Sequence, residues 1–305
     1  MKAFVTGGAG FIASHIVDRL ILKGHDVAII DNLSNGKKEN INKKIKFYQR
    51  DINDNLDEIF QNERPEIVIH TAAQVMLRKS IEDPIFDAKQ NIMGTINILE
   101  ACRKFGVKKI IYTSTGGARV GEPEYLPVDE NHPLNPISPY GISKHTAEHY
   151  IFMYNKLYGL DYLIFCFGNV YGPRDDVKSG RVCMIFFDKL MKNEQPSIYG
   201  DGEQTRDFIY VLDIANFITE SLYKNPTHKL FHLAYGEQIS VNRIFDIIKN
   251  LIGTNVNPKY VSAIKGEVRD ILLDTKLVKK ELGWKPEHDI ASGLKETYDW
   301  ILTSN

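Results

Sequence analysis

Apolar positions along this chain recur with two periods. Short apolar runs predict strands at residues 2–6, 26–30, 45–48, 67–70, 108–113 and 161–166. Between them, apolar residues three and four apart predict helices over 12–23, 85–105 and 141–158. Such alternation implies a parallel sheet covered on both faces, and the right-handed crossover rule makes it a doubly wound, Rossmann-type α/β fold. After about residue 170 the pattern breaks: Pro173, Gly180, Pro196, Gly200 and Gly202 punctuate shorter elements. Helices are predicted there over 181–193 and 241–252, and Leu230-Phe231-His232-Leu233 predicts a strand returning to the main sheet. The expected organisation is a first domain over 1–170 and a smaller, mixed α/β C-terminal lobe over 171–305, with a ligand cleft beyond the C-terminal ends of the strands.

Composition narrows the class. The 305 residues are 43% hydrophobic and 25% charged with a formal net charge of −1, an ordinary globular balance. No basic block points to nucleic acid, and no apolar run approaches the roughly 20 residues that span a bilayer. The first residues already form a strand, which leaves no room for a leader and predicts a cytoplasmic protein. Cys102, Cys166 and Cys183 fit no metal or redox spacing and are expected as buried apolar side chains. The nine histidines lack ligand spacing, no metal is expected, and His70 reads as a packed, hydrogen-bonded core residue.

Candidate chemistry gathers at strand ends. Thr6-Gly7-Gly8-Ala9-Gly10-Phe11-Ile12-Ala13 follows the first apolar run and leads into helical spacing. Strand, glycine turn and helix start place a pyrophosphate on a helix N-terminus, where N–H groups and the dipole favour anions. Gly7 permits the turn, Gly10 lets the backbone approach the phosphates, and Ala13 allows close helix–strand packing. Asp31 ends the second run about 20 positions later, where an acid accepts hydrogen bonds from an adenosine ribose and repels a 2′-phosphate, predicting NAD rather than NADP. A plain turn aspartate before Asn32-Leu33-Ser34-Asn35-Gly36 is the structural alternative; strand, glycines, helix and acid in register favour the cofactor.

Tyr140 and Lys144 stand four apart after Pro136 and Pro139, hence on one helix face. An ammonium beside a phenol favours the phenolate, so the pair predicts a general base. Thr115 ends the strand before them and is placed to hold a reacting hydroxyl. A solvated helix face and a Ser/Thr turn are the structural alternatives.

In these motifs the chain resembles the extended short-chain dehydrogenase/reductase family, in particular nucleotide-sugar 4-epimerases of the UDP-glucose/UDP-galactose type. The resemblance runs through Thr6–His15, Asp31–Leu33, Asp51-Ile52, His70–Gln74, Ser114-Thr115, Tyr140–Lys144, Asn169–Arg174, Tyr199–Phe208 and Lys280–Pro286. It implies a NAD-binding set of Gly7, Gly10, Phe11, Ile12, Asp31, Asn32, Asn35, Gly36, Asp51, Ile52, Ala72, Ala73, Asn91, Tyr140, Lys144 and Phe167. It implies UDP-sugar contacts from Gln74, Thr115, Asn169, Tyr199, Arg206 and Arg269, with Arg206 on the pyrophosphate, and a homodimer through helices 85–105 and 141–158.

The chain departs from the family pattern in places. Val75 stands where some epimerases carry a lysine, and Val120 replaces a tyrosine. Its neighbour Arg119 is expected either to enter the cleft or to be solvated. In the late substrate loop Ile264 occupies the usual arginine position, which leaves Arg269, or less directly Lys265, as the second phosphate cation; Ile271 falls where relatives limit pocket size. Gly116-Gly117-Ala118 follows Thr115 where dehydratases of this kind place an Asp-Glu pair and related decarboxylases a glutamate, so the sequence points to C4 epimerisation through a transient 4-keto sugar. The alternatives are a 4,6-dehydratase or dehydrogenase/reductase, and a non-catalytic NAD-sensing regulator; Thr115, Tyr140 and Lys144 argue against the last.

Overall fold

The computed structural model describes residues 1–263 and 268–304; Ile264 and Lys265 lie outside the described residues. Six strands appear in the first half: β1 (Lys2–Thr6), β2 (Asp26–Asp31), β3 (Lys46–Gln49), β4 (Ile67–His70), β5 (Lys109–Thr115) and β6 (Asp161–Phe167). A seventh, Leu230–Leu233, returns from the far half and pairs with β6. All pairings are parallel, in the order returning strand–β6–β5–β4–β1–β2–β3. This is the doubly wound sheet the apolar pattern predicts, with β5 and β6 running a residue or two further.

Alternation within each strand sends side chains to two separate cores. Ala3 and Val5 of β1 pack with Ala13, Ile16, Val17 and Leu20 of helix α1 (Phe11–Leu22) on one face. Phe4 points the other way, into a cluster with Phe60, Ile98, Leu99 and Ile151 from the helices of the opposite face. The helix Val211–Ser221, which the sequence reading did not draw, packs on α1 in the first core. A third core of Phe186, Phe187, Phe245 and Ile248 holds the smaller lobe together.

The span 85–105 is one rod of three pieces: Pro84–Ala88 is α-helical, Lys89–Met93 is a π turn, and Gly94–Phe105 is α-helical again. A π turn rotates the side chains after it relative to those before it, and such turns concentrate at functional sites. The helix Pro139–Tyr158 begins with Ser138 capping the Gly141 N–H and Pro139 in the first turn. Among the described residues, no helix is long and apolar enough to cross a membrane. The three cysteines are buried and unpaired, and His70 is fully enclosed between Thr6 Oγ1 (2.7 Å) and Thr95 Oγ1 (3.0 Å).

Candidate active site

The glycine turn joins β1 to α1. Gly7 has φ +68°, and a Cβ there would lie 2.9 Å from the Ala72 backbone, so the turn also lets the loop after β4 come close. Helix α1 opens at Gly10 with neither a capping side chain nor an acidic residue in its first turn, which leaves the positive end of the helix for an anionic ligand. Asp31 is buried, accepts the Ala9 N–H (3.0 Å) and the Leu33 N–H (2.7 Å), and is raised above the ordinary carboxyl range by that burial. A carboxylate has about four acceptor positions, so two bonds leave capacity for ribose hydroxyls. Gly36 leans on it: a Cβ there would stand 2.8 Å from both oxygens. Asn32 donates to Asp51 Oδ2 (2.7 Å), and bonds from Asn53, Asn32 and Gln90 outweigh desolvation and hold Asp51 below its usual range. An uncapped helix end, a braced acid and glycines with no room for side chains fit a dinucleotide. Phe11, Ile12, Ala72 and Ala73 are half-buried and Asn35 is exposed, whereas Ile52 is buried against Gly94.

Two expected contact residues face inward instead. Gln74 is buried; its side chain donates to Met76 O (3.1 Å) and Asp87 Oδ1 (2.8 Å) and accepts the Met76 N–H (2.6 Å). Asn91, aimed by the π turn, accepts the Gln74 N–H (2.8 Å) and donates to Ser143 Oγ (3.0 Å). Buried amides are hydrogen-bonded, and here the pair braces the 72–76 loop. Asp87 and Ser143, linked at 2.6 Å, complete the cluster. Neither was singled out from the sequence, because only the fold brings residues 74, 87, 91 and 143 together.

Tyr140, Thr115 and Lys144 do converge at the end of β5. Thr115 lowers the proton affinity of Tyr140, and Lys144 Nζ donates to Thr113 O (2.7 Å) and lies 4.1 Å from the Tyr112 ring centre. The electrostatics differ from the sequence expectation. Burial pushes the Tyr140 phenol up to about 12 and the Lys144 ammonium down to about 7. The spacing indicated the pairing, but not that the fold encloses both groups and turns the ammonium toward a carbonyl and a ring.

Arg119 overturns both options considered for it. It is 4% exposed, neither solvated nor in the cleft, and pairs with Glu148 at 3.1 Å. A cation missed in the sequence does face the site: Arg181 stacks its guanidinium 5.1 Å from the Phe11 ring centre, is ion-paired with Asp175, and lowers the proton affinity of Tyr140 against the effect of burial.

The remaining expected contacts lie at the end of β6 and in the chain beyond it. Phe167 is buried at the end of β6, opposite Thr115 in register. Asn169 is exposed at the start of a short strand, and Tyr199 is exposed with Arg78 5.9 Å from its ring centre. Arg206 Nη1 donates to Thr205 O (2.8 Å) and to Arg269 O (2.9 Å), so the two expected phosphate cations stand side by side. Asp201 pairs with Arg269 (3.0 Å), and Asp207 is fully buried on the N–H groups of Tyr235, Gly236 and Leu273. Ile271 and Leu273 cover Gly117 and Gly116: a Cβ on Gly116 would meet Leu273 Cδ1 at 2.3 Å. Ile271 is thus wedged into a small core with Val120 and Val128, beside the site.

Comparison with known proteins identifies the family. Residues 3–234 match the profile of the NAD dependent epimerase/dehydratase family. A Methanocaldococcus jannaschii protein that carries the provisional name UDP-glucose 4-epimerase is 50% identical over 303 residues, spanning 99% of this chain and 98% of its own. The crystal structure of Thermotoga maritima UDP-glucose 4-epimerase with UDP-glucose superposes with a TM-score of 0.97 at 40% identity, covering 100% of this chain and 99% of that one. The Thermus thermophilus UDP-glucose 4-epimerase in complex with NAD gives 0.93 at 36% identity, with full coverage of both chains.

Proposed function

The chain belongs to the NAD dependent epimerase/dehydratase family, and from that premise we propose that it is an isomerase inverting C4 of a nucleotide sugar, UDP-glucose and UDP-galactose first among them. NAD held on the glycine turn and Asp31 supplies reversible hydride transfer at that carbon. Thr115 positions the C4 hydroxyl, and Tyr140 removes and later returns its proton. Lys144 steadies the phenolate side of that exchange, and Arg181 makes the phenol easier to ionise. Arg206 and Arg269 anchor the diphosphate while the 4-keto sugar turns over. Asn169 and Tyr199 line the sugar-nucleotide side.

The observation that supports epimerisation over net chemistry is the pair of side-chain-free positions after Thr115, Gly116 closed by Leu273 and Gly117 in contact with Ile271. Gly116 has no room for a side chain and Gly117 carries none, so the acid and base that loss of water across C5–C6 requires are not supplied there and the proton chemistry at hand is limited to one hydroxyl. Purified protein given UDP-galactose without added NAD is expected to form UDP-glucose, and Tyr140→Phe to lower kcat by about 10²–10⁴-fold while retaining the cofactor. Steady build-up of NADH, or of a 4-keto product, would instead identify a dehydrogenase or a dehydratase.

We assign the working form as a cytoplasmic homodimer. Ile85, Met93, Ile142 and Phe152 supply exposed apolar surface along the two helical spans, and three unpaired thiols suit a reducing compartment.

A further inference from the structure

The charge buried beneath the catalytic residues has no part in the scheme above. Arg119 lies in the loop that leaves Thr115, and Glu148 lies one helical turn beyond Lys144. Glu148 is 5% exposed and held from four sides: by Ser114 Oγ (2.5 Å), Arg119 Nη2 (3.1 Å), His145 Nδ1 (3.1 Å) and Cys166 Sγ (3.9 Å). Arg119 adds one contact to Cys166 Sγ (3.6 Å), and its buried Nε has no hydrogen-bond partner among the described residues. An apolar pair would fill this volume without desolvating two charges, so stability alone does not account for the pair.

Its position suggests what does. Ser114 stands between Thr113, whose carbonyl holds Lys144, and Thr115, whose hydroxyl lowers the proton affinity of Tyr140. Glu148 therefore grips the strand between the two catalytic anchor points, and Arg119 grips Glu148 from the loop. We propose that the Arg119–Glu148 pair is a positioning device for the epimerase reaction: it locks the Thr115 loop onto the Tyr140–Lys144 helix and keeps the ground beneath Lys144 electrically neutral. The inference rests on the epimerase reading.

Besides Glu148, other groups face Lys144: Tyr112 from β5, Cys166 from β6, Asp87 from the helix before the π turn, and His70 from β4; Tyr140 stands one turn before it on the same helix. Glu130 and His232 face Arg119. These stay in place when the pair is altered, so changes in the pair can be read against a constant background. Removing one partner leaves a single sign of charge. An uncompensated Glu148 carboxylate raises the proton affinity of both Lys144 and Tyr140, and an uncompensated Arg119 lowers it.

The test uses the full chain with its bound cofactor and follows kcat for UDP-galactose down the acid limb. Glu148→Gln is expected to move the limb to lower pH by roughly one unit, and Arg119→Met to move it to higher pH by a similar or smaller amount. The Arg119→Met/Glu148→Gln double variant should return it to within a few tenths of a unit, and Arg119→Lys should hold it near the original. Glu148→Gln is the cleaner arm, since arginine stays protonated whereas a stranded carboxylate can take up a proton. A residue that merely supports packing would lower Tm and kcat without opposite displacements of the limb. Should a single variant fail to fold, the double variant and Arg119→Lys carry the reading, and a displaced limb in either overturns the proposal. Limbs that stay put in active single variants overturn it alone. An unaltered protein that interconverts no UDP-sugar overturns the epimerase reading and this inference with it.

Discussion

Lys144 should reduce the stability of the fold. It is 3% exposed, and its ammonium is pushed from the ordinary 10.5 to about 7 by desolvation, against partial support from Glu148, Cys166 and Asp87. Above about pH 10.5 the lysine is neutral in both the folded and unfolded chain and costs nothing. Below about pH 7 it is charged in both and the full cost is present, so the penalty grows as pH falls between those values. A pK unit is worth about 1.4 kcal/mol, which makes the penalty about 5 kcal/mol at most. Lys144→Met removes the charge but gives up the bond to Thr113 O and the contact with the Tyr112 ring, leaving a net gain of about 2–4 kcal/mol at neutral pH. In cofactor-free protein that is a Tm higher by about 5 °C, with the gap narrowing as pH is raised toward 10. The cofactor must be absent, because a ligand that binds the native state through Lys144 adds stability of its own. Calorimetry at two pH values decides the matter. A variant that melts at or below the unaltered protein at neutral pH, or a gap that ignores pH, would refute the reasoning.

Three further outcomes follow from the same geometry. Gly7→Ala puts a Cβ 2.9 Å from the Ala72 backbone at φ +68°; it should cost about 1–2 kcal/mol from backbone strain alone and leave protein purified without cofactor, seen in its absorbance ratio. Arg181→Met removes the cation that opposes the upward push on Tyr140, so the acid limb of kcat should move to higher pH; an unmoved limb would separate Arg181 from the reacting phenol. His15, His70 and His232 are buried and neutral, held down to about 4, 3 and 4 by desolvation. Their unfolded forms take up protons first, so the stability they lend is present above about pH 6.5 and is lost as pH falls toward 4. Equal Tm values at pH 7 and pH 5 would contradict this.

What the chain disclosed beforehand was local. The seven strands of the sheet, the glycine turn and the Tyr140–Lys144 spacing each depend on residues close in sequence, and periodicity reports them. The sequence reading leaves out Val211–Ser221 although its two sides differ in polarity as much as those of Gly94–Phe105, and nothing in its pattern explains the omission. Arg119 could not be placed because its partner lies 29 positions away on another element. Gln74 and Asn91 matched a family motif, yet their orientation depends on a π turn that no periodicity signals. The proton affinities of Tyr140 and Lys144 depend on burial, which spacing does not measure.

The returning strand decides how this molecule can be cut or recombined. Leu230–Leu233 supplies the outer neighbour of Ile164–Phe167, so a fragment ending before it would present β6 as a long, apolar, unpaired edge, a template for aggregation. Fusing a foreign sugar-binding lobe at residue 170 would remove that strand together with Val211–Ser221, the layer under α1. Recombination should therefore keep 205–234 with the first half and exchange only the segments around it, so the exchangeable part of this chain is a set of separate inserts rather than a C-terminal block.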